Sequence, residues 1–175
     1  MNIDDFVIRT PRLLLRPHRA DDVHFMMDLN SDPEVTRYTP DGPLKDEKQA
    51  RDIIVNLISQ FEERRIGRFI VLETQTEARL GWCGLKWLED VQEVDLGYRF
   101  LKSAWGHGYA SEAARACLNY GFNTLSFSRV TARILPSNAA SISVAQKLGL
   151  QKAGTVIEDD QELLVFEIRA ENFKG

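Results

Sequence analysis

Long apolar runs are missing from this 175-residue sequence: no stretch of 18 or more hydrophobic residues occurs, so no transmembrane helix is expected and no membrane partner is implied. The opening Met1-Asn2-Ile3-Asp4-Asp5 has neither the basic n-region nor the apolar h-region of a secretion signal, which sets the expectation of a cytoplasmic protein. Cysteine is scarce. Cys83 and Cys117 are too few and too far apart for a disulfide framework or a cysteine-rich zinc site, and that scarcity suits a reducing compartment. His18 and His24 show no metal-ligand spacing, so no metal is expected. With only 11 glycines and 6 prolines, and no period of 20 to 50 residues, collagen-like, low-complexity and repeat architectures are excluded. What remains is ordinary globular usage, 43% hydrophobic and 27% charged. A chain of this length buries roughly 70% of its unfolded surface, enough for one domain spanning residues 1–175.

The net charge of −4 argues against a general nucleic-acid binder. It is unevenly spread. Between Leu96 and Ile157 seven cations (Arg99, Lys102, Arg115, Arg129, Arg133, Lys147, Lys152) face one acid, Glu112, an excess of +6 that leaves the remainder at −10. Such a segment suits a small polyanionic ligand better than DNA, the alternative being scattered solvated charges.

Periodicity outlines the elements. Arg12 to Arg16 reads as a strand, and Val23, Met26, Met27 and Asn30 recur at helical spacing behind Asp21 and Asp22. Asp32-Pro33 and Thr39-Pro40-Asp41-Gly42-Pro43 read as breakers. Ala50, Ile53, Ile54, Leu57, Ile58 and Phe61 then mark one face of a helix between Asp46 and Arg65, closed by Gly67. Phe69–Glu73, Leu80–Leu88 and Glu93–Leu101 predict an antiparallel meander, the last with Val94, Leu96, Tyr98 and Phe100 on one face and Glu93, Asp95, Gly97 and Arg99 on the other. A helix follows from about Gly108 to Gly121, whose face of Ala110, Ala113, Ala114, Cys117 and Leu118 is small enough for close packing on a sheet. Cys117 on that face reads as a packed core thiol. Arg129–Leu135 is a strand, Ala139–Leu148 a helix capped by Asn138 and closed by Gly149, and Thr155–Glu158 and Leu163–Arg169 complete the chain. The expected fold is α+β: a twisted mixed sheet of about seven mostly antiparallel strands flanked by about four helices.

Chemistry concentrates in the loop Lys102-Ser103-Ala104-Trp105-Gly106-His107-Gly108 and the helix start Tyr109-Ala110-Ser111-Glu112. A glycine-flanked loop between strand and helix offers free backbone N–H groups and the positive helix end, which together favour phosphate. A dinucleotide fingerprint would need an acid about 20 residues further on, and no Asp or Glu lies between Ala113 and Ile157. A P-loop would need Gly-Lys-Ser/Thr, whereas Gly108 precedes Tyr109.

The string from Trp105 to Ala113 resembles the pyrophosphate loop of the GNAT superfamily of acyl-CoA-dependent N-acetyltransferases. Asp95-Leu96-Gly97-Tyr98 resembles that family's fourth strand, and Asn138 to Leu150 its second signature. Thr10 to Pro17 is similar to the RimJ/RimL-type subgroup, which acetylates N-termini of ribosomal proteins and includes members with other amine substrates. One departure is Ser103, where the superfamily pattern has Gln or Arg. Joined through one helix, the Glu93–Leu101 and Arg129–Leu135 strands are expected to be parallel neighbours by the crossover rule, and the resemblance implies a single GNAT domain in which they splay to form the acyl-CoA cleft. Acetyl-CoA would be the co-substrate, with pantetheine in the splay beside backbone groups of Phe100 and Leu101 and held by Asn138. The diphosphate would meet the N–H groups from Gly106 to Ala110, within the segment Trp105, Gly106, His107, Gly108, Tyr109 and Ala110. Lys147 would face the 3′-phosphate.

Acetyl transfer needs an uncharged amine, a donor to the thioester oxygen and a proton for the departing thiolate. An α-amino group costs about 1 kcal/mol to deprotonate at pH 7, and a lysine-type amine about 4.6. Asp95 sits where many family members carry a glutamate base, and Glu93 shares its face; either is the base or a structural carboxylate. Ser141 is the thiolate's proton donor or a helix-terminal hydroxyl. Trp82 or Trp87 would line the acceptor pocket. The acidic remainder implies a cationic amine acceptor, such as a basic protein N-terminus or a polyamine. Acceptor contacts would come from Pro33–Pro43 and from the turns at Glu89-Asp90 and Asp159-Asp160. The alternative is a catalytically silent acyl-CoA sensor, and either would be a monomer or a homodimer.

Overall fold

The computed structural model describes residues 5–39 and 42–175. Its strands are β1 (Ile8–Arg9), β2 (Leu13–Arg16), β3 (Arg68–Glu73), β4 (Arg79–Leu88), β5 (Glu93–Phe100), β6 (Arg129–Ile134), β7 (Gln151–Glu158) and β8 (Gln161–Arg169). Its helices are α1 (Val23–Ser31), α2 (Pro33–Thr36), α3 (Glu47–Arg64), α4 (Tyr109–Asn123) and α5 (Ala139–Lys147). The strands lie in one sheet in the order β1-β2-β3-β4-β5-β6-β8-β7. All neighbours are antiparallel except β5 and β6, which the α4 crossover makes parallel. Among the described residues no helix is long and apolar enough to cross a membrane, and no cluster of three or more His, Cys, Asp or Glu could hold a metal ion.

Periodicity anticipates seven of these strands and four of these helices. The two residues of β1 are too few to show alternation. Asp32-Pro33 does not break the chain but opens α2: the Asp32 carboxylate accepts the Glu34 N–H at 2.8 Å, and Pro33 fills a first-turn position where its missing N–H leaves nothing unpaired. Of the breaker cluster at Thr39–Pro43, Pro40 and Asp41 lie outside the described residues. Strand β7 starts at Gln151, earlier than Thr155, because a bulge between Lys152 and Gly154 interrupts the alternation that would have revealed it.

The main core lies between the sheet and α4. Ala113, Ala114, Cys117 and Leu118 are fully buried there against Leu85, Val94 and Leu96. Cys83 and Cys117, 34 positions apart, bring their sulfurs to 3.8 Å in that layer, and burial pushes the Cys83 thiol up. Both are packed thiols. A smaller apolar cluster joins Leu29 of α1 and Val35 of α2 to Trp82, Phe25 and Leu101.

Candidate functional site

Strands β5 and β6 pair at a single point, Asp95 with Thr131. Beyond it they diverge, and the main chain of β5 is left facing an opening. Leu101 N–H bonds Leu80 on the β4 side at 2.9 Å, so by alternation the N–H groups of Phe100 and Tyr98 turn the other way, into the gap. The Phe100 carbonyl accepts the Trp105 indole N–H at 2.9 Å.

Asp95 stands at the root of this opening. Its Oδ1 accepts the Arg133 N–H at 3.2 Å, its Oδ2 lies 3.9 Å from Arg68 Nη2, and its side chain is 13% exposed. Burial lifts the carboxyl to about 6, against the pull of Arg68, Arg133 and Lys86 toward the charged form. That is the range a general base uses near neutral pH. Glu93, on the same face, is bound to Arg129 at 2.8 Å and to Arg133 at 3.4 Å. Those ion pairs tie β5 to β6 below the opening. Trp82 borders the same face, with Arg68 4.4 Å and Arg99 5.6 Å from its ring centroid, and Arg99 bonds Asn30 of α1.

Past β5 the chain enters the glycine loop. Gly106 and Gly108 take φ of +79° and +80°, a left-handed conformation that side chains rarely adopt, and a Cβ on Gly106 would meet nothing within 4 Å. Gly108 caps α4 with no side-chain acceptor, so the first N–H groups of this 15-residue helix point out beside the exposed loop. His107 Nδ1 donates to the Trp105 carbonyl at 2.8 Å, and its ring stacks on Tyr109. Trp105 itself is 46% exposed. Arg12, from outside the basic segment, reaches this loop: Nη1 donates to the His107 carbonyl at 3.0 Å, and Nε bonds Glu112 at 2.7 Å. Burial pushes Glu112 up, but bonds from Thr10 and Arg12 outweigh it and hold the carboxyl below its usual range. Tyr109 donates to Glu73 Oε1 at 2.7 Å, which ties the helix start to β3.

The opening is bounded on its other side by the start of α5. Asn138 Oδ1 accepts the Ser141 N–H at 3.1 Å, an N-cap that leaves the Asn138 amide N–H groups for another partner. Asn138→Ala is expected to cost about 1 kcal/mol of stability, read as a lower melting temperature, whereas Asn138→Asp retains the cap and melts close to the parent. Tyr98 reaches this region from β5. Its hydroxyl lies beside Ser141 but outside hydrogen-bond geometry, has no other partner among the described residues, and is pushed by burial up to about 12.

One expectation changes, and two are given their surroundings. Leu101 offers no main-chain group to the opening, since its N–H is spent on Leu80 and its carbonyl on Ala104 N–H at 2.9 Å, while its side chain packs with Trp82. Lys147 is in the last turn of α5, at the opposite end from Asn138 and Ser141, where it lines a separate cavity of about 640 Å³ with Arg115, Glu167 and Arg169. A nine-residue helix is about 13 Å long, which separates Lys147 from the cap end. Three of the basic segment's seven cations are held in ion pairs: Lys102 with Glu34, Arg129 with Glu93 and Glu167, and Arg133 with Glu93 and Glu158. Arg12 and Tyr98 lie within the motifs Thr10–Pro17 and Asp95–Tyr98, but sequence alone assigns neither side chain to the site, because each meets it only through contacts with distant residues.

The loop and Asp95 both adjoin the opening beside β5, and comparison with known proteins places the chain in a family. Residues 12–151 match the model of the Acetyltransferase (GNAT) domain. The chain is 34% identical over 146 residues to the uncharacterized N-acetyltransferase p20 of Bacillus licheniformis, covering 83% of this chain and 82% of that protein. It is 25% identical over 149 residues to the spermidine N(1)-acetyltransferase of Escherichia coli K12, covering 83% and 76%. Among solved structures, an acetyltransferase (GNAT family) from Bacillus anthracis superposes with a TM-score of 0.83 at 24% identity, over 95% of this chain and 99% of that one.

Proposed function

Because this chain belongs to the GNAT family and is an acetyl-CoA-dependent N-acetyltransferase, we propose that it moves acetyl directly to an α-amino group, with Asp95 as general base. The observation that carries this is the placement of Asp95, a carboxyl lifted to about 6 at the root of the gap between β5 and β6.

Acetyl-CoA supplies an activated acyl group with a thiolate leaving group. The chain's own residues fit such a molecule. The left-handed glycine loop and the open end of α4 suit a diphosphate, Arg12, itself paired with Glu112, braces the loop through the His107 carbonyl, and the Phe100 and Tyr98 N–H groups facing the gap suit amide and thioester oxygens. Asp95 takes the proton released as the amine attacks. Ser141 provides a proton at the leaving sulfur, with the Tyr98 hydroxyl behind it.

The acceptor class follows from proton affinity. A base near 6 takes a proton from an α-ammonium group, near 7.7–8.0, at a cost of about 2.5 kcal/mol, and from a lysine-type ammonium near 10.4 at about 6 kcal/mol. This favours a protein N-terminus or a small α-amine, in line with the RimJ/RimL-type resemblance of Thr10 to Pro17. Spermidine, the substrate named for the Escherichia coli relative, is the competing acceptor. Thiol release from acetyl-CoA at pH 7, measured with N-terminal peptides, amino-acid amides and spermidine, is expected to rank the α-amines first. Faster turnover of spermidine than of every α-amine would reject this assignment, and cofactor binding with no turnover on any amine would instead favour the sensor.

A further inference from the structure

The guanidinium of Arg68 crosses a strip of sheet that has no side chains. Arg68 on β3 pairs with Gly84 on β4, and Gly84 pairs with Gly97 on β5. A Cβ at Gly97 would stand 3.1 Å from Arg68 Nη2 and 3.3 Å from its Cζ, so the guanidinium occupies the room that a side chain there would take. On one side it lies over Trp82, 4.4 Å from the ring centroid, and its far end comes 3.9 Å from Asp95 Oδ2.

We propose that Arg68 is a positioning residue for Asp95: laid across Gly84 and Gly97 and stacked on Trp82, it holds positive charge beside that carboxyl and keeps it ionisable in the working pH range. The inference rests on Asp95 as the base. Burial alone pushes this carboxyl further toward its neutral form, and a neutral carboxyl cannot take a proton from an amine. The groups that face Asp95 are Arg68 from β3, the exposed Lys86 paired with it on β4, and Arg133 from β6. Arg133 gives Asp95 its backbone N–H but turns its guanidinium to Glu93 and Glu158. Glu93, the neighbouring acid on β5, is occupied by Arg129 and Arg133. Arg68 is the side chain whose direction is set by the glycine strip and the indole, and that direction ends at Asp95.

The test reads Asp95 directly, by carboxyl-carbon NMR titration of the ligand-free protein, beside the pH profile of the rate. Arg68→Gln is expected to raise the Asp95 midpoint by about one pH unit, and the acid limb of the rate should follow, about tenfold slower below both midpoints. Gly97→Val should shift it in the same direction by crowding the guanidinium, and Arg68→Lys should recover part of the effect. Should Arg68→Gln fail to fold, Gly97→Val decides, because a β-branched residue suits a strand. An unmoved midpoint in the Arg68→Gln protein, or in Gly97→Val where that variant decides, overturns the inference. If in that case Asp95→Asn still abolishes the acid limb, the base assignment stands without it. A midpoint that moves while the limb stays in place removes Asp95 as the base, and with it the catalytic meaning of Arg68.

Discussion

Asp95→Asn is expected to lower turnover by 10²–10⁴ while raising the melting temperature at pH 7. The first figure is the usual contribution of a positioned general base. The second follows from linkage. In the folded protein the carboxyl sits at about 6, against 3.8 as its ordinary value, so between those values the folded chain binds more protons than the unfolded one. The penalty is absent below pH 3.8, grows through the interval and is complete above about 6. Asparagine removes the charge but keeps an oxygen for the Arg133 N–H. The gain at pH 7 is of order 1–3 kcal/mol, the upper figure being the full shift and the lower allowing for lost attraction to Arg68 and Arg133. Thermal melts at pH 7 and pH 4 check it, the difference between variant and parent closing at the acid end. Unchanged turnover would remove Asp95 from the reaction, and a lower melting temperature at pH 7 would make it a structural carboxylate.

Replacing both loop glycines by valine is expected to weaken coenzyme A binding about a hundredfold, with the sheet intact. Crowding is not the cause at Gly106, where a Cβ would have open space. The cost lies in φ of +79° and +80°, a conformation that is about 1–2 kcal/mol less favourable for an L-residue and worse for a β-branched one. Each valine therefore turns its peptide away, and the N–H groups at the start of α4 lose their common direction. Calorimetry with coenzyme A measures the loss, and circular dichroism checks the fold. Asparagine at the same positions tolerates the left-handed region and should retain much of the affinity. Full affinity in the valine pair would show that the cofactor is held elsewhere.

The two predictions differ in how far they were legible beforehand. Gly106 and Gly108 are visible in the sequence as a loop between an alternating strand and a helix, and their meaning is local. Asp95 was visible as a charged position on the far face of β5, but its proton affinity was not, because Arg68 lies 27 positions away and Arg133 38 positions away. Lys147 is legible only as part of a family signature, and the fold sets it in the last turn of α5, at the opposite end from the Asn138 cap.

By itself the sequence determined the alternation of strands, the small face of α4, the parallel crossover between β5 and β6, and the glycine loop, since each depends on spacing within a few residues or on the length of one connection. The tertiary structure alone decided that Arg12 stands at the loop, that Tyr98 meets Ser141, that Cys83 lies against Cys117, and that Arg68 reaches Asp95 across two glycines. Those are meetings of residues from different strands and helices, fixed by sheet register and by burial, and neither is written in the order of neighbours along the chain.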